Sequence, residues 1–162
     1  FDLFARRGYG QVTMRGAAKE LGVSTGTLYH YFDGKDALFR QMFERNARRD
    51  VVEAEAIFVD GDDLKARLRK LEGYLEERAD HLQAVLVVAI DYLRANDDPA
   101  ARAFLAETAS LYRTSLGDRL GLPGHLLGAS AFSFVVGMIV HRLLDADAPA
   151  ISEQLTVLAA LA

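Results

Sequence analysis

The hydrophobic positions of this chain recur at helical spacing, and no stretch shows the alternation that is typical of a half-buried strand. Alanine, leucine, arginine and glutamate dominate between the breaks, and β-branched residues form only short runs. Clusters of glycine, proline, asparagine and aspartate interrupt the pattern and divide the chain into about nine helices. The sequence therefore predicts an all-α fold, in which three short helices precede longer helices that begin at Lys35.

Two segments of the chain are apolar on nearly every face. Residues 82–93 should form a helix that lies inside the body of the protein with neighbours on most sides. Residues 126–144 should form another, but few helices follow it to cover its surface, so we expect part of that surface to need a partner. The continuous apolar runs are about half as long as the ~20 residues that span a membrane, and we expect no membrane association.

The N-terminal region has the capping and turn residues of a helix-turn-helix motif. The Thr13 hydroxyl is placed to cap a helix over residues 14–21. Gly22 then ends that helix, because glycine readily takes the left-handed conformation of a tight turn. Ser24 is placed to cap a second helix over residues 25–32. The pattern thus predicts helix, turn and helix within the first 32 residues.

The second helix of this motif has an apolar and a polar side. Leu28 and Phe32 lie four residues apart on the apolar side, which we assign to the core. The polar side carries Thr25, Thr27, Tyr29 and His30. Small hydroxyl and imidazole groups of this kind bind base edges or phosphates in a major groove, and Gly26 would let the backbone approach a duplex closely. We therefore interpret this helix as a recognition helix.

The charge distribution agrees with a polyanionic partner at one end of the chain. The net charge is −4, yet residues 1–49 carry nine Lys and Arg against five Asp and Glu, and the remainder carries ten against eighteen. Lys35 begins the helix that follows the motif, where the helix dipole already favours an anion. Thr13 stands at the start of an earlier helix, and we expect both side chains to contact phosphates.

The N-terminal segment resembles the signature of the TetR family of transcriptional regulators. The resemblance is carried by Gly8, Tyr9, Thr13, Ala18, residues 22–32, Lys35 and Leu38. It implies a helix-turn-helix DNA-binding domain over residues 1–45, whose first helix we expect to begin upstream of Phe1, and a helical-bundle body for dimerisation and ligand binding over residues 46–162. It also implies principal DNA contacts from Thr27, Tyr29 and His30, supported by Thr13, Thr25, Gly26 and Lys35.

The C-terminal segments indicate a homodimer through the last two helices. One helix carries small residues that would let the backbone of a second helix approach closely: Gly128, Gly137 and residues 129–131. A second apolar stripe follows at Leu155, Leu158 and Leu161. Two helices from each chain would form a four-helix bundle, as in TetR-type proteins, and the two heads would read the half-sites of a near-palindromic double-stranded operator.

A ligand pocket in the body is implied by the family resemblance rather than by a motif. The candidate residues are aromatic or polar side chains on the central helices: Tyr74, Tyr92, Arg94, Phe104, Tyr112, Arg113, Phe132, Phe134 and His141. An apolar cavity with one or two convergent polar groups suits a small hydrophobic or aromatic effector, which we expect to release a repressor from its operator. His141 is the first candidate for the polar group, and a buried core histidine is the alternative.

Other classes of function have less support in the sequence. The chain has no cysteine, which excludes disulfides and thiol chemistry and fits a reducing cytoplasm. His81, His125 and His141 fall on separate segments without metal-ligand spacing, so we predict no enzyme activity, metal or cofactor. A helical interaction or small-molecule-binding module that keeps the head only as a scaffold, without binding DNA, stays open as the alternative.

Overall fold

The computed structural model of the chain describes residues 1–161, with side chains described for residues 1–157. These residues form nine helices and contain no strand. The helices are α1 (Asp2–Arg7), α2 (Met14–Leu21), α3 (Thr25–Tyr31), α4 (Lys35–Glu55), α5 (Leu64–Glu77), α6 (Ala79–Ala95), α7 (Pro99–Leu120), α8 (Gly124–Leu144) and α9 (Ile151–Leu161). The predicted all-α fold is confirmed, and three short helices do precede the longer ones.

The two helices of the motif begin where their capping residues predict. α2 begins and ends at the predicted residues, Met14 and Leu21. α3 begins at Thr25 as predicted but ends at Tyr31, one residue early. Phe32 is extended (φ −137°, ψ 127°), although its amide still donates to the carbonyl oxygen of Leu28. The predicted and observed ends of α3 therefore differ only in the backbone conformation of its predicted last residue.

The chain forms two compact units, each built from two segments. The first unit comprises residues 1–48 and 84–108, and the second comprises residues 49–83 and 109–162. Three helices, α4, α6 and α7, thus contribute residues to both units. The domains predicted from the sequence, in contrast, count all of α6 and α7 in the body.

An aromatic cluster forms the centre of the first unit. Phe4, Tyr9, Phe39 and Tyr92 are at most 4% exposed. Their ring centroids lie between 4.3 and 6.1 Å apart. Each aromatic pair of this kind contributes about 0.5–1.5 kcal/mol beyond the burial of its area. Since Tyr92 belongs to α6, the C-terminal part of α6 is packed into the same core as α1 and α4.

Within residues 82–93, α6 is exposed along one stripe and buried or half-buried elsewhere, in agreement with the prediction of neighbours on most sides. Val88 and Tyr92 are 1% and 0% exposed, whereas Val87 and Ile90 are 44% and 53% exposed. A helix that is apolar all round carries no signal of which face its neighbours cover, so the exposed side was not readable from the pattern.

The second unit holds α9 against α5. Ile151 and Leu155 are the buried residues of α9, with exposures of 0% and 4%. The Glu76 carboxylate accepts a hydrogen bond from the amide of Ile151 (2.9 Å) and pairs with Arg142 of α8 (3.2 Å). Leu155 is therefore buried within its own chain and is not available for the stripe predicted to meet a second chain. The side chains of Leu158 and Leu161 lie outside the described residues.

α8 leaves part of its apolar surface uncovered, as its sequence predicts. It is the one helix in the described part of the chain that is long and apolar enough to cross a membrane, by length and composition only, and 17% of its most apolar 18-residue window is buried. Its buried residues are Gly128, Met138 and Ile139. The exposed stripe, at spacings of three and four residues, comprises Leu126, Ser130, Ser133, Gly137, His141 and Leu144.

Candidate DNA interface and candidate effector site

The turn between α2 and α3 is fixed by two capping hydroxyls and one glycine. Thr13 Oγ1 accepts a hydrogen bond from the amide of Gly16 (3.0 Å), and Ser24 Oγ accepts one from the amide of Thr27 (2.9 Å). Gly22 ends α2 in the left-handed conformation (φ 70°, ψ 24°). Each contact satisfies a backbone group that a helix end leaves without a partner. All three predicted features of the turn are confirmed, and they hold α3 against α2.

The polar side of α3 lies at the surface of the first unit. Leu28 is 4% exposed and belongs to the core, whereas Tyr29 is 53% exposed. The other exposed residues of α3 are Gly26, Thr27, His30 and Tyr31, with Thr25 half-buried beside them. α3 thus packs through one face and presents hydroxyl, phenol and imidazole groups on the other, where they can enter a groove of a duplex.

Two of the predicted DNA contacts already have neighbours within the head. The hydroxyl oxygens of Thr27 and Ser24 are 2.7 Å apart, and the rings of His30 and Tyr31 meet edge to face at 5.2 Å. A hydroxyl has one proton and two lone pairs, so Thr27 keeps hydrogen-bonding capacity beyond this contact. The contacts restrict the rotamers of Thr27 and His30 before any DNA is bound.

Lys35 is held at the first residue of α4 by the loop between α1 and α2. Its Nζ donates to the carbonyl oxygen of Tyr9 (3.1 Å) and lies 4.3 Å from the centroid of the Tyr9 ring. An ammonium group has three donors, and this bond uses one of them. Lys35 therefore combines a fixed position with remaining capacity to bind a phosphate at the start of a helix.

A polar network next to Lys35 joins Tyr92, which the sequence assigned to the effector pocket, to two residues that the sequence did not single out. The Tyr92 hydroxyl donates to Asp36 Oδ1 (2.7 Å), and Asp36 Oδ2 forms an ion pair with Arg40 Nε (2.7 Å). Burial, and then the hydrogen bond to Asp36, raise the pKa of Tyr92 well above its ordinary value, so its hydroxyl stays protonated. The network joins α6 to the first turn of α4, across 56 positions of sequence.

The predicted effector residues are divided between the two units. Tyr92 and Phe104 belong to the first unit, where their rings are 6.1 Å apart, and Tyr74 and Tyr112 belong to the second. Arg94, Arg113 and His141 are exposed, and Phe132 and Phe134 are half-buried. His141 Nε2 lies 3.5 Å from the carboxylate of Asp145 at the surface, so His141 is not a buried core histidine.

Tyr74 and Tyr112 both donate hydrogen bonds to one buried residue of the second unit. Asp50 of α4 is 1% exposed, and its side chain contacts Arg78 Nη2 (3.0 Å), His81 Nε2 (2.9 Å) and the Tyr112 hydroxyl (2.9 Å). The Tyr74 hydroxyl donates to the backbone carbonyl oxygen of Asp50 (3.2 Å). A buried carboxylate is costly unless donors surround it, and here the donors come from the end of α5, from α6 and from α7.

The two tyrosines act as donors in this cluster at neutral pH. Burial, followed by the negative charge of Asp50, raises the pKa of Tyr74 and of Tyr112 above the ordinary value. The ring of Tyr112 also stacks on Phe132, with centroids 6.5 Å apart. The cluster therefore offers one aromatic surface and a set of polar groups that already have partners.

An open hollow in the second unit does not coincide with any predicted effector residue. It has a volume of about 140 Å³ and is lined by Phe58, Val59, Asp60, Arg67, Asp118 and Arg119. Sites for drug-sized ligands measure about 300–1,000 Å³, so this hollow is too small for such an effector. Among the side chains that the structure describes, no three His, Asp or Glu residues come together as metal ligands do.

Comparison by sequence assigns the head to a family. Residues 1–42 match the family described as bacterial regulatory proteins, tetR family. The matched segment includes α1, α2, α3 and the start of α4, and so all seven residues predicted to contact DNA. No curated protein matches the chain.

Solved structures of transcriptional regulators share the fold of the whole chain. A protein from Streptomyces coelicolor A3(2) assigned as a transcriptional regulator is 23% identical, with a TM-score of 0.79 over 98% of this chain and 90% of its own. The fatty acid degradation regulator FadR from Bacillus halodurans is 19% identical, with a TM-score of 0.69 over 96% and 86%. A TetR-family regulator from Bordetella parapertussis 12822 is 25% identical, with a TM-score of 0.55 over 86% and 76%. The head of this chain therefore matches the TetR family of transcriptional regulators, and the chain shares its fold with these solved regulators.

Proposed function

We propose that this chain is a homodimeric repressor that binds operator DNA through α3 and leaves it when a small molecule binds. The observation that carries the proposal is the exposed polar face of α3, held by the Thr13 and Ser24 caps within the segment that matches the TetR family. Hydroxyl, phenol and imidazole groups on a short helix suit a major groove, where each base pair shows its own pattern of donors and acceptors. As a regulator of bacterial genes, the protein works in the cytoplasm and has no enzymatic activity.

The predicted contacts divide into two kinds. Thr27, Tyr29 and His30 project from the exposed face of α3 and are assigned to base edges, where they carry the sequence preference. The other contacts are assigned to the phosphate backbone: Thr13, Thr25, Gly26 and Lys35. Phosphate contacts add affinity for any DNA and make that affinity depend on salt, which separates the two kinds in an experiment.

The exposed stripe of α8 is the surface assigned to the second copy of the chain. The stripe joins Leu126, which is 69% exposed, to Leu144, which is 80% exposed, and Gly137 between them has no neighbouring atom within 4 Å of a built Cβ. A residue without a side chain in the middle of an exposed stripe allows two helices to approach closely. A second copy is the occupant that this family implies, because two heads on a twofold axis read two half-sites.

The effector is assigned to the second unit. Tyr74 and Tyr112 are the predicted effector residues that meet there, and the Phe132 ring stacks on Tyr112. FadR from Bacillus halodurans, which regulates fatty acid degradation, shares the fold, so fatty acids and their acyl derivatives are the first class to screen. Since α4 contributes residues to both units, a change around Asp50 that moves α4 would alter the spacing of the two heads.

The proposal is tested by fluorescence-anisotropy titration of the full chain with DNA that flanks its own gene and with unrelated DNA of equal length. Titrations between about 50 and 200 mM salt give the number of phosphate contacts from the slope of log affinity against log salt. Preferential, salt-sensitive binding to the flanking DNA is expected. Equal and weak binding to both DNAs would contradict the proposal and favour an interaction module without DNA binding.

The effector assignment is tested on the same complex. Fatty acids of increasing chain length, and their acyl derivatives, are added to the preformed protein–DNA complex, and release is read from the anisotropy. We expect one class of compound to release the protein from the DNA at low concentration. A short-chain control should leave the complex intact. A compound that binds the protein without changing its affinity for the flanking DNA would contradict the proposed switch, because coupling between two ligands is reciprocal.

A further inference from the structure

Two consecutive residues of α6 form hydrogen bonds with the segment that contacts Lys35 and with the segment that contains it. Asp91 Oδ2 accepts a hydrogen bond from the amide of Gly10 (3.2 Å), in the loop between α1 and α2. The next residue, Tyr92, donates its hydroxyl proton to Asp36 Oδ1 (2.7 Å), in the first turn of α4. All of these residues belong to the first unit, so α6 ties together two parts of the head that are far apart in the sequence.

Tyr92 has no freedom to contact DNA itself. It is 0% exposed, its ring stacks on Phe39 with centroids 4.3 Å apart, and it meets the Tyr9 ring edge to face at 5.0 Å. The hydroxyl keeps its proton because burial and the neighbouring carboxylate disfavour the phenolate. Any effect of Tyr92 on DNA binding must therefore pass through the residues that it touches.

The residues that Tyr92 touches are the ones that position Lys35. Asp36 follows Lys35 in the chain, and its carboxylate is held between the Tyr92 hydroxyl and Arg40 (2.7 Å from Arg40 Nε). On the other side, Tyr9 accepts the hydrogen bond from Lys35 Nζ (3.1 Å) and lies beneath the ammonium group. The hydroxyl of Tyr92 thus fixes the first turn of α4. Its ring fixes the Tyr9 ring, on which the Lys35 ammonium group lies.

We propose that Tyr92 is a positioning residue for the phosphate contact of Lys35, acting through its hydrogen bond to Asp36 and its contact with Tyr9. The inference rests on the proposed phosphate contact of Lys35. Loss of the hydroxyl leaves the aromatic packing in place but removes the bond that ties the Asp36 carboxylate to α6, since Arg40 belongs to the same helix as Asp36. The first turn of α4 and the Lys35 ammonium then lose a fixed orientation relative to α6. A phosphate contact is strong only when its donor is held in place, and freeing it weakens binding to any DNA.

A double-mutant cycle in the full chain tests the proposal. Affinities for the flanking DNA are measured for the wild type, Tyr92→Phe, Lys35→Met and the double variant, with a salt series for each. Tyr92→Phe is expected to weaken binding about three- to tenfold in the wild-type background and less than about twofold in the Lys35→Met background. The slope of log affinity against log salt is expected to fall in Tyr92→Phe toward the slope of Lys35→Met.

A matched control removes a similar bond elsewhere. The Ser115 hydroxyl donates to the Glu55 carboxylate (2.9 Å) in the second unit, so Ser115→Ala also deletes a bond from a hydroxyl to a carboxylate. Its affinity and its salt slope should equal those of the wild type. Circular dichroism shows that each variant is folded at the temperature of the titration, and a loss through partial unfolding would appear equally in both Lys35 backgrounds.

The outcomes separate this inference from the proposed function. Equal weakening by Tyr92→Phe with and without Lys35, or no weakening at all, overturns the positioning role while operator binding stands. If Lys35→Met binds DNA with the wild-type affinity and salt slope, the proposed phosphate contact fails and the positioning role fails with it. Only a Tyr92 effect that depends on Lys35 supports the inference.

Discussion

Gly117 of α7 and Gly128 of α8 cross in direct backbone contact. A Cβ atom built on either residue would lie 3.2 Å from the Cα atom of the other, and a Cβ on Gly128 would lie 3.4 Å from the carbonyl oxygen of Arg113. Both glycines are buried. α7 and α8 therefore pack through their backbones at this point, and neither helix has a flexible side chain there that could move aside.

We predict that Gly128→Ala destabilises the fold by about 1–3 kcal/mol, because the added methyl group forces the two helices apart. Urea unfolding at a fixed protein concentration measures the change. Gly73→Ala is the matched control: this position of α5 has no atom within 4 Å of a built Cβ. Alanine there should stabilise the chain by about 0.5–1 kcal/mol through helix propensity. A destabilising Gly73→Ala equal to Gly128→Ala would contradict the explanation.

We predict that Gly137→Arg prevents dimer formation. The change places a large charged group in the middle of the exposed stripe of α8, where the dimer would bury it without a partner, at a cost on the order of 3 kcal/mol. Sedimentation velocity should then show a monomer at concentrations where the wild type is a dimer.

Thr114→Arg controls for the added charge, because Thr114 is exposed on α7 and does not belong to this stripe. It should sediment as the wild type does. A dimer that persists in Gly137→Arg would move the interface to another surface.

We predict that Glu76→Ala destabilises the second unit by about 1 kcal/mol. Its carboxylate accepts the hydrogen bond of the first amide of α9 and pairs with Arg142, so the alanine variant leaves a helix end without its acceptor. Urea unfolding measures the loss, and Glu76→Gln should recover part of it because the amide oxygen still accepts. The neighbouring Glu77→Ala should stay within about 0.5 kcal/mol of the wild type. Equal effects at both positions would refute the capping role.

We predict that the fold loses stability as the pH rises above 10. In the folded chain, burial and then the charge of Asp50 raise the pKa of Tyr112 above its ordinary value of 10.0. Unfolding restores the ordinary pKa, so above that pH the unfolded chain releases a proton that the folded chain keeps, and ionisation favours unfolding. Urea midpoints between about pH 9 and pH 11 measure the decline. Tyr112→Phe should decline less steeply; parallel curves would contradict the assignment.

The sequence was most informative where local chemistry decides the structure. Thr13, Gly22 and Ser24 act on backbone groups within four residues of themselves, and α2 and the start of α3 are found at the predicted positions. Capping hydroxyls and a left-handed glycine have the same effect in any fold. The recognition face of α3 follows directly, because Leu28 fixes which side of the helix is buried.

Contacts between segments that are distant in the sequence could not be predicted from local residue patterns. Asp50, Arg78, His81 and Tyr112 meet at one carboxylate although they span more than 60 residues, and none of them belongs to a spaced motif. The exposed face of α6 is a similar case, because its sequence is apolar on both the covered and the uncovered side. Leu155 fits an apolar stripe equally well whether α5 or a second chain covers it.

The preference for one DNA over another tests the central claim most directly. For the wild type, Tyr29→Ala and Lys35→Met, the dissociation constant for unrelated DNA is divided by that for the flanking DNA at one salt concentration. We predict that Tyr29→Ala lowers this ratio about tenfold, because a base contact is lost. Lys35→Met should weaken both DNAs alike, with a salt slope smaller by about 1. A ratio that Tyr29→Ala leaves unchanged, with both dissociation constants at the wild-type values, would contradict recognition through α3.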